Sequence, residues 1–210
     1  KFIAASILTV FEYIHKKNIL YRNLKPENVL IAQDGYIKLA NFSNCKQLEN
    51  LTTNTFCGTP EYCAPEVIIK TGHNQGADYW SLGILLYEML VGITPFYDSD
   101  PMKIYQNIIK GKLIIPKNID KTTKTFIKHL LIPDPQKRLG CQEAGIYEII
   151  NHPFFDDFDW KGLLFKNVEP PYIPSVNGPM DITNFNKIND NYFDDGDIPI
   201  DKEKDPFYNW

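Results

Sequence analysis

The spacing of apolar side chains predicts a mainly helical chain with one small β-hairpin. Apolar residues in 2–15 fall on one face of a helix, which predicts an amphipathic helix there. Two short β-prone runs follow, Asn28–Ala32 and Tyr36–Ala40. The Asp34-Gly35 pair between these runs is a strong hairpin signal, because both residues favour the backbone conformations of a tight turn.

The second half of the pattern is helical. Asp78–Val91 is its most apolar helical segment, and we expect it to be buried. The other helices predicted span Met102–Lys110, Lys121–Leu131 and Gly145–Asn151. Residues 41–63 are polar and irregular, and a loop of that length inside a compact domain is usually functional.

The composition changes near residue 155. Four prolines lie between residues 170 and 179, and residues 190–205 carry seven acids against two lysines. This composition predicts an extended tail rather than a second core. We therefore expect one folded domain over residues 1–155 and a tail over residues 156–210. The aromatic end, Phe207-Tyr208-Asn209-Trp210, indicates a tail that docks on a surface.

Composition and charge restrict the possible partners and compartments. The chain has 210 residues, 43% of them hydrophobic, which is enough for one core. A net charge of −4 gives no support for a nucleic-acid or membrane partner, and no apolar run is long enough to span a bilayer. The four cysteines lack the spacing of a zinc site, which predicts free thiols in a reducing compartment. We expect the cytoplasm, with the nucleus as an alternative.

Four segments carry a family resemblance. They are YRNLKPEN (21–28), NFS (41–43), GTPEYCAPE (58–66) and DYWSLG (78–83). In this order and spacing they resemble the catalytic, metal-binding and activation segments and the central helix of a eukaryotic protein kinase. GKLIIP (111–116), PPYIP (170–174) and the aromatic end make the resemblance closest to the AGC group, and within it to the cAMP-dependent kinase catalytic subunit.

The resemblance implies a fold and an activity. The fold is mainly α with a small β-hairpin, namely the large (C-terminal) lobe of a protein kinase with an extended AGC-type tail. A small lobe that completes the ATP site is expected upstream of Lys1. The family transfers phosphate from ATP to serine or threonine with the help of magnesium. Lys25 matches the lysine that neutralises the transferred phosphate, and Thr59 matches the threonine that contacts this lysine. Asn28 matches an asparagine that binds magnesium.

Two residues depart from the family pattern at the chemical centre. Asn23 occupies the position of the aspartate that accepts the substrate proton, and a carboxamide has no useful basicity. Asn41 occupies the position of the main magnesium-binding aspartate, although magnesium favours carboxylate oxygen. These changes predict impaired catalysis, with ATP and magnesium binding weakened or lost. Two alternatives stay open: a weakly active basophilic kinase, and a lobe-only regulatory or peptide-binding module.

The resemblance also implies regulatory and substrate contacts. Arg22 and Lys46 match the basic clamp of a phosphorylated activation-loop threonine, and Thr55 occupies the place of that threonine. A substrate groove for basic peptides, or for a pseudosubstrate regulator, is implied by residues that match arginine-binding acids and an apolar pocket. These are Glu27, Glu61, Glu88, Phe56, Pro60 and Cys63.

Further residues match structural and docking positions. Glu66 and Arg138 match a buried ion pair that anchors the activation segment, and Asp78 matches a helix residue that holds the catalytic loop. In the tail, Phe185 or Phe193 is the candidate neighbour of adenine. Phe207 and Trp210 match the aromatic pair that docks on the small lobe.

Overall fold

The chain is mainly helical, as the apolar pattern predicts. The computed structural model describes residues 1–178 and 180–185. Its helices are α1 (Phe2–His15), α2 (Pro65–Ile68), α3 (Gly76–Val91), α4 (Pro101–Lys110), α5 (Lys121–Leu130), α6 (Ile146–Ile150) and α7 (Trp160–Leu164). Its strands are β1 (Ile19–Leu20), β2 (Val29–Ile31), β3 (Ile37–Leu39) and β4 (Lys46–Gln47). Among the described residues, no helix is long and apolar enough to cross a membrane.

Two small sheets carry the loops of the site. Strands β2 and β3 form the predicted antiparallel hairpin, in which Val29 pairs with Leu39, although both strands are shorter than their β-prone runs. Gly35 has a φ of +79° in the turn, which a side chain would strain. The second sheet pairs β1 with β4 and lies partly inside the long loop. The sequence analysis missed it, because two-residue strands have no readable alternation.

Helix α3 forms the centre of the core. It begins at Gly76, two residues before the predicted start, and every residue from Gly76 to Tyr87 is buried. Trp80 is fully buried and stacks on Phe96 with ring centroids 5.7 Å apart. Gly83 faces α5 so closely that an added Cβ would collide with Leu130. The most apolar predicted helix is therefore the most buried one.

The prediction of an extended tail from residue 156 is wrong for residues 160–164, which form α7. The Asp159 carboxylate caps this helix by accepting a bond from the Gly162 N–H at 2.7 Å. Leu163 is buried, and Trp160 packs on Phe155 at 4.9 Å. Lys1–Pro174 form one compact unit.

A second unit begins at Ser175. In it the Asp181 carboxylate accepts bonds from the backbone N–H groups of Asn177 and Thr183, which lower its pKa to about 2. Phe185 is 63% exposed. Phe193, Phe207 and Trp210 lie outside the described residues, so their adenine and docking roles stay predictions.

Candidate active site

A buried carboxylate on α3 holds the YRNLKPEN loop. Asp78 accepts hydrogen bonds from the backbone N–H groups of Tyr21 at 2.9 Å and Arg22 at 2.7 Å. The His15 ring lies 2.8 Å from the same carboxylate. These bonds hold Arg22 in a left-handed backbone conformation, with a φ of +59°. Asp78 thus bonds to the backbone of the segment that the sequence analysis expected it to hold, and its role in catalysis stays a prediction.

Three asparagines at the chemical centre bond to one another. The Asn28 amide donates to the Asn23 carbonyl at 2.6 Å, and the Asn23 side-chain amide donates to the Asn41 carbonyl at 3.2 Å. Asn41 itself is left-handed, with a φ of +55°. The Ser43 hydroxyl donates to the Asn41 side-chain oxygen at 2.6 Å. The network contains amide and hydroxyl groups and no carboxylate, so it offers no proton acceptor of useful basicity.

The donor set does not fit a tightly held magnesium ion. Both residues expected to bind the ion, Asn28 and Asn41, offer neutral oxygens, whereas magnesium favours carboxylates. The side-chain oxygen of Asn41 already accepts the Ser43 hydroxyl. Within residues 1–178 and 180–185, no group of three or more His, Cys, Asp or Glu side chains could hold a metal ion.

Lys25 lies two residues after Asn23 in the chain, and Thr59 lines the same small cavity as Asn23. Lys25 is half-buried and directly precedes the 3₁₀ turn Pro26–Asn28. Thr59 directly precedes a second 3₁₀ turn, Pro60–Tyr62. No hydrogen bond joins Lys25 to Thr59 in the part of the chain that the structure describes, so the contact between them stays a prediction.

The activation-loop residues form a cluster of basic and hydroxyl groups. Lys46 donates to the hydroxyls of Thr53 at 2.9 Å and Thr55 at 3.2 Å. The Arg22 Nε donates to the Asn44 carbonyl at 2.8 Å. The structure therefore brings Lys46 to Thr55, with Thr53 as an additional contact that the sequence analysis missed.

Glu66 and Arg138 form a buried bidentate ion pair. The Arg138 Nη1 and Nη2 atoms lie 2.6 and 2.8 Å from the two carboxylate oxygens. Arg138 is 0% exposed, and its guanidinium lies 5.0 Å from the ring centre of Trp80. The same guanidinium donates to the carbonyls of Gly76, Ile132 and Pro133. Because the pair joins α2 to the α3 start and the α5 end, it ties the segment after the activation loop to the core.

Two acidic residues of the expected groove accept hydrogen bonds from hydroxyl groups. The Tyr62 hydroxyl donates to Glu88, and the Thr94 hydroxyl donates to Glu61. Burial first, and then Glu88, Glu27 and Glu61, raise the pKa of Tyr62 far above its usual value. Within the described residues none of the three carboxylates pairs with a cation. The sequence analysis missed the Thr94 contact, because nothing in the local pattern around a threonine indicates a partner 33 residues away.

The expected apolar pocket is divided between exposed and buried side chains. Phe56 is exposed and meets Tyr105 edge to face, with ring centroids 6.2 Å apart. Pro60 is half-buried and Cys63 is buried. Burial raises the pKa of the Cys63 thiol to about 12. All four cysteines have free thiols.

Comparisons with known proteins agree with these segments. The protein kinase domain family matches residues 1–155. The cGMP-dependent protein kinase egl-4 of Caenorhabditis briggsae is 48% identical over 206 residues, which cover 96% of this chain and 27% of that protein. The serine/threonine-protein kinase gad8 of Schizosaccharomyces pombe is 46% identical over 88% of this chain and 32% of its own length.

Human cAMP-dependent protein kinase catalytic subunit PRKX is 42% identical over 100% of this chain and 58% of its own length. This chain thus spans less than two thirds of each of these relatives. The chain belongs to the protein kinase family. Its relatives are kinases of the AGC group, which confirms the group that the motifs indicated.

Proposed function

We propose that the chain is the large lobe of an AGC serine/threonine kinase whose phosphotransfer is impaired and whose peptide groove still binds. One observation carries the first half of this proposal. The two decisive positions, Asn23 and Asn41, carry neutral amides; the first donates to the backbone carbonyl of Asn41, and the second accepts the Ser43 hydroxyl. A working centre needs a proton acceptor at the first position and a negative charge at the second.

The groove supports the second half. Glu61 and Glu88 are oriented by the hydroxyls of Thr94 and Tyr62, and neither forms an ion pair within the described residues. Carboxylates in fixed positions suit the guanidinium groups of arginine. The occupant that fits is a basic peptide, either a substrate or a pseudosubstrate regulator.

The family's cofactors are part of the proposal. ATP and magnesium are the expected cofactors, and the two amides weaken or abolish their productive binding. Free thiols support a reducing compartment, for which we propose the cytoplasm.

A phosphotransfer assay tests the impairment. The change is Asn23→Asp with Asn41→Asp in the full-length natural protein that carries this chain, assayed with ATP, magnesium and an arginine-rich serine peptide. We expect the double variant to exceed its parent by about a hundredfold or more, the range of a restored general base. Equal rates in parent and variant would show that the two amides are not the cause of the impairment.

A binding assay tests the groove separately. The probe is a fluorescent peptide with arginines before an alanine that replaces the acceptor serine, followed by anisotropy. We expect Glu61→Gln and Glu88→Gln to weaken binding about tenfold each, the scale of one charge-assisted bond. Glu143→Gln, an exposed acid outside the groove, serves as the matched control. Unchanged affinity in the groove variants contradicts the proposed peptide site.

A weakly active kinase is the second candidate, and the geometry of the loop favours it. Asp78 holds the backbone at Tyr21 and Arg22 in a defined shape, so the loop has not collapsed. An amide at residue 23 could still orient a substrate hydroxyl. Parent activity that depends on Lys25, lost in Lys25→Met, would support this candidate.

A further inference from the structure

The backbone brings a buried histidine beside the activation loop. Thr53 and His73 exchange two backbone hydrogen bonds of 3.0 and 2.9 Å in an isolated antiparallel bridge. His73 is only 3% exposed, and its Nε2 atom has no hydrogen-bond partner within the described residues. A buried polar atom without a partner is rare in a native fold, and the Nε2 atom has the capacity for one further hydrogen bond.

Two cations share this region and also lack an acidic partner. The Arg22 Nη1 is buried without a hydrogen bond, and Lys46 contacts only the hydroxyls of Thr53 and Thr55. In the part of the chain that is described, neither forms an ion pair. Arg22 and His73 line the same small cavity beneath the loop. Lys46 thus contacts both threonine hydroxyls, His73 is joined to Thr53 through the backbone, and Arg22 lines the cavity that holds His73.

The charges around His73 account for its present state. Burial lowers the pKa of His73, and Arg22 lowers it further, with a smaller effect in the same direction from Lys46. Glu66 and Asp78 act in the opposite direction. Both of these carboxylates are already engaged, the first with Arg138 and the second with the catalytic loop. Because these two carboxylates have other partners, an anion added to this region would have a large effect on the pKa of His73.

We propose that His73 is a third basic contact for a phosphate on Thr55, and that its protonation makes the phosphorylated loop sensitive to pH. The inference rests on the proposed kinase-like activation loop. The phosphate would come from ATP by the action of a protein kinase on the Thr55 hydroxyl, with ADP as the other product. Its oxygens would replace the hydroxyl as the acceptor for Lys46, and would satisfy the free Arg22 Nη1 and a protonated His73 Nε2.

The proposal sets the direction of the pH dependence. A dianionic phosphate favours the charged imidazole, so phosphorylation raises the pKa of His73 from its lowered value. The stabilisation from His73 is then present at low pH and is lost as the pH rises through the raised pKa. The phosphate itself loses charge below its second pKa of about 6. Retention of the phosphate should therefore be strongest slightly above pH 6.

The first experiment follows the histidine ring itself by NMR. The 210-residue chain is prepared with threonine and with genetically encoded phosphothreonine at residue 55, and the imidazole signals are titrated. His73→Gln assigns the signal among the four histidines. We expect the pKa of His73 to rise by at least about one unit on phosphorylation. An identical titration in both forms overturns the proposal.

The second experiment measures how well the loop retains its phosphate. Phosphatase release is compared at pH 6.5 and 8.0, relative to a short phosphopeptide of the same loop. We expect relative release from the parent to be faster at pH 8.0 than at pH 6.5, because the ring loses its charge as the pH rises through its raised pKa. His73→Gln should remove this ratio, whereas His129→Gln, an exposed histidine on α5, should keep it.

A third variant distinguishes the role of His73 from the phosphate clamp on which that role rests. Lys46→Gln should speed phosphate release at both pH values, because Lys46 contacts Thr55 directly. If Lys46→Gln speeds release while His73→Gln has the parent's pH ratio, the phosphate clamp stands and the role of His73 fails. If neither variant changes release, the kinase-like clamp itself is wrong.

Discussion

The side-chain amide of Asn23 donates a hydrogen bond to the backbone carbonyl of Asn41. A carboxylate could not make this contact, because an ionised aspartate has acceptors only. Under the proposed function, Asn23 therefore both leaves the catalytic loop without a proton acceptor and supplies a bond from this loop to the segment that contains Asn41.

This bond gives the first prediction. Asn23→Asp alone should lower the free energy of unfolding by about 1–3 kcal/mol at pH 7, because a buried acceptor then faces the Asn41 carbonyl. Burial should raise the pKa of the new carboxyl above its unfolded value of about 3.9. The deficit should therefore shrink as the pH falls from 7 towards 4. Urea unfolding at each pH measures it.

Asn50→Asp is the matched control for this change. Asn50 is exposed and has no side-chain hydrogen bond within the described residues, so we expect a change within about 0.5 kcal/mol. A deficit in Asn23→Asp that is equal at pH 4 and pH 7 would contradict the explanation from an ionised carboxyl.

The second prediction concerns the buried ion pair. Arg138→Met should destabilise the chain by about 3–5 kcal/mol, because it leaves the Glu66 charge buried without a partner. Lys137→Met is the neighbouring control. Its ion pair with Asp134 is exposed, and its loss should cost less than about 0.5 kcal/mol. Similar urea midpoints for the two variants would show that the buried pair does not anchor the segment.

Most of the fold could be read from the sequence because its helices are long and periodic. Helix α1 has the bounds that its apolar face predicted, and the hairpin follows from Asp34-Gly35. Helix α7 could not be read, because it has only five residues and follows the onset of a proline-rich composition. Its Leu163 is buried in the main hydrophobic core, and a tertiary contact of this kind stabilises a short helix without leaving a local sequence pattern.

The contacts of the candidate site also differ in whether the sequence could predict them. The family resemblance was enough to indicate the contacts of Asp78 and Arg138, because their partners belong to other segments that carry the resemblance. The roles of His73 and Thr94 depend on contacts between segments that carry no motif. Such contacts exist only after the chain folds, and one sequence does not predict them.

The third prediction uses the buried thiol of Cys63. Its pKa is about 12 in the fold and about 8.5 in an unfolded chain, so only the unfolded state ionises near pH 9 to 10. Ionisation of Cys63 in the unfolded state should lower the free energy of unfolding by about 1.4 kcal/mol for each pH unit above 9. Urea unfolding should show that Cys63→Ala removes this part of the slope, whereas Cys57→Ala keeps it. Equal slopes in parent and Cys63→Ala would refute the assignment.

The fourth prediction concerns the end of the compact unit. A chain cut after residue 155 loses the buried Leu163 and the carbonyl of Val168, which accepts a bond from the Tyr36 hydroxyl at 2.6 Å. We expect its melting temperature to drop by about 5–10 °C, since a buried leucine alone stabilises by about 1.5–3 kcal/mol. A chain cut after Pro174 is the control and should melt like the parent. If both melt alike, residues 156–174 do not support the fold.

The bonds from Tyr21 and Arg22 to Asp78 show that the backbone conformation of the catalytic loop depends on a residue outside the loop. That residue, Asp78, lies 57 positions after Tyr21 in the chain, on helix α3 at the centre of the core. Side chains of the loop can therefore differ while its backbone keeps the same form. Under the proposed function, phosphotransfer is impaired at Asn23 while the backbone that Asp78 holds stays in place beside a bound peptide.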